Sequence, residues 1–192
     1  MTVKEKKRGR PPGARAQLNG QIIISAAKVL MREEGATPSI RKLATSLNVD
    51  AMAIYHYFKN KDALLEAITT SLVEDIYEPT PSDDWKDELN KLSGSYLKLL
   101  HTYSGLLETL LSMESVGPAS VFCQRFYLVL TPLKLLASDK KNALDLLVDY
   151  LHGYALAMSC NKEKSRLSID MFTGALGLYC VALENVKKEI KS

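Results

Sequence analysis

The stretch Ser39–Ala67, SIRKLATSLNVDAMAIYHYFKNKDALLEA, decides the fold. Ile40, Leu43, Ala44 and Leu47 recur at the three-to-four spacing that stacks side chains on one helical face, and Val49 and Ile54 continue that face past a turn at Leu47-Asn48-Val49. Ala44 is small where the two short helices must cross closely. Arg41, Lys42, His56, Tyr57 and Lys59 stay available to solvent or phosphate. Two helices around such a turn form a helix-turn-helix, whose second helix can lie in the major groove of DNA.

The pattern extends both ways from this unit. Upstream, Ile22, Ile23, Ala26, Ala27, Val29 and Leu30 predict a helix from an Asn19 cap to Glu34, stopped by Gly35. The second helix is expected to open at Thr37-Pro38, with Thr37 as cap, and the third at an Asp50 cap, running to about Tyr57. A fourth starts at Asn60 and carries Leu64, Leu65, Ile68 and Leu72 to about Ile76. Glu78-Pro-Thr-Pro-Ser-Asp-Asp cannot continue a helix and marks a boundary near residue 80. Beyond it, helices are predicted at 83–103, 104–115, 118–137 with a kink at Pro132, 140–160 and 166–189. Nothing alternates as a strand does.

Composition sets outer bounds. With 192 residues, 46% hydrophobic and 24% charged, the chain is that of an ordinary globular protein with room for a core. Met1–Arg15 is basic and lacks an apolar signal core, and no run approaches the roughly 18 apolar residues of a membrane span. A cytoplasmic protein with no membrane partner is expected. Residues 1–70 hold twelve Lys/Arg against six Asp/Glu, whereas the remainder holds thirteen against sixteen. The basic third is where a polyanion would bind, because neutralising phosphates releases condensed counterions.

Cys123, Cys160 and Cys180 are too widely spaced for a disulfide or zinc pattern and read as buried thiols, with redox sensing as the other use. His101 and His152 stand alone. No metal and no cofactor are expected, and the absence of a nucleotide-binding glycine loop, a His-Glu-x-x-His or a nucleophile elbow argues against an enzyme.

The residues quoted first resemble the DNA-binding signature of the tetracycline-repressor family of bacterial regulators. Its elements are a leucine-alanine helix, a Leu-Gly-Val turn, a recognition helix ending in aromatics, and Lys-Asn-Lys before a Leu-Leu pair. The likeness runs from Gly20 to Ile68; Asn48 replaces the usual Gly, and Asn tolerates a left-handed turn. Tyr150-Leu-His-Gly-Tyr and Met171-Phe-Thr-Gly-Ala-Leu-Gly-Leu, with Ala182-Leu-Glu, are similar to the family's two dimerisation helices.

The resemblance implies an all-α fold, with an N-terminal three-helix DNA-binding unit followed by a larger helical ligand-binding and dimerisation domain. The expected division is a basic disordered arm at 1–16, a helix-turn-helix domain at 17–62, a connecting helix and linker at 63–80, and a ligand-sensing and dimerisation domain at 81–192. The function it implies is a sequence-specific transcriptional regulator, a homodimeric repressor on a palindromic double-stranded operator, released by a small, largely apolar effector. Tetracycline is a poor fit, because apolar residues such as Leu92 fall where the family's namesake makes polar contacts to the drug. An architectural protein of A·T-rich DNA, or an activator without an inducer, is the alternative.

Roles follow from position in the motif. Arg41 can reach guanine O6 and N7, while Ala51 and Met52 offer apolar contact, for example to a thymine methyl. Tyr55, Tyr57, Lys61 and Ser39 are assigned to phosphates, and His56 to either. Lys6-Lys-Arg-Gly-Arg-Pro-Pro resembles an AT-hook, so Arg8 and Arg10 either enter a narrow minor groove or form a general basic tail. Tyr96, Leu100, Tyr103, Leu107, Leu111, Phe122, Phe126 and Tyr127 line either a ligand cavity or a solid core, with His101 and Cys123 as polar handles. Leu147, Leu151, Tyr154, Phe172, Leu176, Tyr179 and Leu183 fill either a four-helix dimer seam or the core of a monomer.

Overall fold

The computed structural model describes residues 18–161 and 167–189, with side chains through Val186. Every regular element among them is helical: α1 Gly20–Glu34, α2 Ile40–Leu47, α3 Ala51–Tyr55, α4 Lys61–Glu74, α5 Trp85–Thr102, α6 Leu106–Ser112, α7 Gly117–Val129, α8 Ala137–Cys160 and α9 Phe172–Glu189. The all-α fold is as the sequence implies.

Local chemistry fixes the first four helices. Each begins at a side-chain cap: Asn19 accepts from the Ile22 N–H at 2.9 Å, Ser39 from Lys42 at 3.2 Å, Asp50 from Met52 at 2.7 Å and Asn60 from Ala63 at 2.8 Å. Each such cap contributes about 1 kcal/mol. Gly35 ends α1 at φ 66°, donating to the Met31 carbonyl, and Asn48 ends α2 at φ 52°. Asn is one of the few non-glycine residues at home there, which explains why the usual Gly is dispensable.

Two boundaries differ from expectation. Thr37 does not cap α2; its hydroxyl pairs with that of Thr109 at 2.9 Å, so the helix opens two residues later behind Ser39. Residues 118–137 are not one kinked helix. α7 stops at Val129, Pro132 lies in a 3-10 turn at Thr131–Leu133, and Lys134 turns left-handed at φ 52°. A proline that lacks the N–H and clashes with the preceding turn ends a helix unless neighbours hold it, and here the chain turns away instead.

The core is continuous from Ile23 in α1 to Leu183 in α9. α5 runs through its middle, burying Leu89, Leu92, Tyr96 and Leu97 against α7, α8 and α9, while α4 packs along α7. Buried residues on both sides of residue 80, Ile76 and Trp85 among them, belong to that one core. The segment after α4 is tied down by the buried Glu88, which accepts from the Tyr77 hydroxyl at 2.9 Å and the Thr80 N–H at 2.9 Å and pairs with Lys91 at 3.2 Å. Those partners, the Thr80 amide first, hold its carboxyl below the usual range despite burial.

Ile169–Val186 has a mean hydropathy of 1.2, long and apolar enough by length and composition to cross a membrane, contrary to the expectation that no run comes near. Its two faces explain the apolarity. Phe172, Leu176, Cys180 and Leu183 are buried on α5 and α8, whereas Gly174, Ala175, Leu178, Val181 and Ala182 are uncovered in the single chain.

Candidate functional site

The helix-turn-helix is built as its sequence requires. Leu43, Ala44 and Ile54 are buried where α1, α2 and α3 meet. α3 has five residues and only Ile54 is buried, so its polar and aromatic side chains are left outside. Arg41, Met52, Tyr55, His56 and Lys61 are all exposed, Met52 at 64%, a value that a large apolar side chain needs a reason to show. Ala51 is half-buried. The Ser39 hydroxyl oxygen caps α2, which leaves its O–H free to donate outward. Arg41, Lys59 and Lys61 make no ion pair among the described residues, whereas Lys42 pairs with Glu34 at 2.6 Å.

Tyr57 departs from the phosphate role assigned to it. Its single O–H is donated to the Leu18 carbonyl at 2.5 Å, so it fastens the start of α1 beside the end of α3. Arg8 and Arg10 lie outside the described residues.

α4 joins this unit to the rest of the chain through polar contacts that periodicity did not single out. Lys28 of α1 bonds the Ser71 carbonyl at 3.0 Å and Asp75 at 2.7 Å. From the other side, Arg125 of α7 donates to the carbonyls of Val73 at 3.2 Å, Glu74 at 3.0 Å and Ile76 at 2.9 Å, covering the negative end of α4 with a fixed cation. Ser115 donates to Glu66 at 2.5 Å. A second bridge joins the α1–α2 connection to α6, where a β-carbon added to Gly105 would lie 2.6 Å from the Gly35 carbonyl. Glycine there permits the close approach.

The expected cavity resolves into two. A space of about 450 Å³ between α4, α5, α7 and α8 takes Tyr96 and Phe122 from the predicted set, with Cys123 and, from α4 itself, Val73. A larger one of about 960 Å³, lined by later residues of α5 and α8, takes Leu100, Leu107 and Leu111, with His101 at its wall. Phe126 lines neither and is fully buried core; Tyr127 stands edge-on to it, 37% exposed. Tyr103 caps α5 and also lines neither. Their assignment to a pocket is corrected, since hydrophobicity alone does not say which side of a helix meets a void.

Tyr96 reaches across the smaller cavity's wall to His152, hydroxyl to Nε2, at 2.9 Å, and burial holds the imidazole pKa down. No group of three or more potential metal ligands occurs among the described residues. Cys160 is exposed, so the reading of all three thiols as buried is corrected.

The residues offered for a dimer seam are occupied within the chain. Leu147, Leu151, Phe172, Leu176 and Leu183 are at most 6% exposed, and the Tyr154 and Tyr179 hydroxyls bond the Ser168 and Ala143 carbonyls at 2.5 and 2.7 Å. What remains open is the opposite stripe: Leu146, Gly153, Leu156 and Ala157 on α8, and Gly174, Ala175, Leu178, Val181 and Ala182 on α9. Nothing lies near the glycines of these stripes.

Comparison with known proteins agrees with this architecture. The sequence model of bacterial regulatory proteins of the tetR family matches residues 23–68, and that of the tetracyclin repressor-like C-terminal domain matches residues 78–174. The class D tetracycline repressor protein of Escherichia coli is 32% identical over 92 residues, 46% of this chain and 42% of that protein, so the match spans less than half of the curated relative. Apo ActR from Streptomyces coelicolor superposes with a TM-score of 0.80 at 18% identity, covering 92% of this chain and all of that one. BioQ, solved with its double-stranded DNA operator, gives 0.71 at 20% identity over 88% of this chain and 99% of that one. At such identities the solved structures show the fold. With the C-terminal model alone covering just over half of the 192 residues, the chain belongs to the TetR family.

Proposed function

We propose that the chain is a sequence-specific DNA-binding transcriptional regulator, a homodimeric repressor released from a two-fold operator by a small, largely apolar ligand. The observation that carries this reading is the exposed surface formed by α2, α3 and the start of α4. Arg41, Met52, Tyr55, His56 and Lys61 stand out from a well-capped, well-packed unit, and the charged ones among them make no ion pair among the described residues. That is a rigid frame presenting one base-reading cation, an apolar tip and phosphate donors. BioQ, of the same fold, is solved on its operator, and ActR is solved with actinorhodin, which supports the two halves of the reading. The smaller cavity supports the release step, since Val73 of α4 is part of its wall and Ser115 both lines it and holds Glu66 of α4. A ligand preferring another position of α4 would weaken operator binding by its differential affinity, typically about 1–3 kcal/mol.

The test separates two residues with different targets. Arg41→Ala is expected to cost about 1–3 kcal/mol on the specific site and to relax base preference. Lys61→Ala is expected to weaken all duplexes alike and to reduce the salt slope by about one unit. Binding isotherms on specific and random duplexes at several salt concentrations decide it. Equal losses on both DNAs for both variants would contradict the assigned roles.

The arm supports a contribution to the same surface. Tyr57 holds Leu18, the first described residue, beside the end of α3. We place Arg8 and Arg10 on DNA flanking the half-site.

A further inference from the structure

We propose that the smaller cavity takes a lipophilic cation, an apolar or aromatic body carrying an amine-type positive head held against Asp149. The proposal rests on the reading of this cavity as the effector site and adds the charge of its ligand. At about 450 Å³ the space is of the size that holds a small organic molecule. Its body is lined by Leu110, Pro118, Phe122, Leu144 and Val148. Tyr96 leans over Phe122 with ring centroids 4.7 Å apart, so one aromatic pair forms part of the wall.

The charged residues that line that wall are of one sign. Asp145 and Asp149 are its two carboxylates, one helical turn apart on α8, and no Lys, Arg or His lines the cavity. Asp145 is already paired with Lys141 at 2.5 Å, whereas Asp149 has neither an ion pair nor a hydrogen bond among the described residues. The remaining ionisable wall groups, Tyr96 and Cys123, are pushed up by burial and stay neutral. His152, behind Tyr96, is pushed down by burial against the opposing pull of Asp149. Glu66 adds a third carboxylate beside Ser115, and the Arg125 guanidinium is directed at the α4 carbonyls instead. An anion entering here meets the like charge of Asp149; a cation meets Asp149 in a wall that also holds the Tyr96 and Phe122 rings.

The experiment uses the full chain and one apolar body, 4-(biphenyl-4-yl)butyl, ending in an ammonium, a hydroxyl or a carboxylate, titrated calorimetrically at low salt. Asp149 is exposed at the cavity's rim, so the ammonium is expected to bind up to about fivefold more tightly than the alcohol, and the carboxylate most weakly. Asp149→Asn should bring ammonium and alcohol to within about twofold without weakening the alcohol. Ala119→Trp, at the exposed rim, should weaken all three by filling the mouth. An alcohol or carboxylate that binds as tightly as the ammonium, a preference that survives Asp149→Asn, or no binding by any of the three would overturn the proposal. Operator affinity measured in parallel keeps the two readings apart: an Asp149-dependent ammonium preference with unchanged DNA binding supports the cationic site and refutes the effector role.

Discussion

Leu178→Glu is expected to leave each chain folded, convert the dimer to monomers, and lower operator affinity by a factor of about 10²–10⁴. Leu178 is 76% exposed in the single chain, so a carboxylate there costs the monomer almost nothing. In a dimer built on the open stripes of α8 and α9 it would be driven into an apolar seam without a partner. Losing the second subunit turns binding at the second half-site from an intramolecular event into a separate encounter, which is the source of the large factor. Sedimentation with and without DNA, beside the thermal melt, reads both effects. Leu176→Glu is the contrast: at 3% exposure it faces the chain's own core and should unfold the domain. A Leu178→Glu protein that remains dimeric would place the interface elsewhere.

Ile54→Ala is expected to cost about 2–5 kcal/mol and to abolish operator binding while the dimer persists. α3 is five residues long and Ile54 is its one fully buried residue. Removing it leaves a cavity under α3 that so short an element cannot close by shifting without losing its seat. Met52→Ala is the paired measurement. Met52 is 64% exposed, so its stability should change by less than about 0.5 kcal/mol while base discrimination falls. If Ile54→Ala bound operator normally, α3 would not be the reading element.

The N-terminal unit was legible because its information is local. Caps, stops and the apolar stripe of Ile40, Leu43, Ala44 and Ile54 lie within a few residues of what they determine, so their readings needed no tertiary knowledge. Thr37 failed as a cap for the opposite reason, since its partner Thr109 lies 72 positions away. The Arg125 contacts with the end of α4 were equally invisible, spanning 49 to 52 positions. In α8 and α9 the signal was ambiguous in itself. A helix that is apolar on both faces names the residues to be buried but not which side goes to its own core, and here Leu146, Leu156, Leu178 and Val181 stay outside beside the small residues. The pocket suffered similarly, since Phe126 and Phe122, one turn apart on α7, differ only in whether a void lies opposite.

Selection of bound duplexes from a random pool by the full chain tests the central claim most directly. A dimer carrying two helix-turn-helix units should enrich a two-fold site whose half-sites lie about one helical turn, roughly 34–36 Å, apart or at a multiple of it. The Arg41→Ala protein should lose the preference at one guanine in each half-site. Recovery of a palindrome with that spacing is the predicted result. Enrichment of A·T-rich duplexes without any fixed motif, or of nothing above the starting pool, would contradict it.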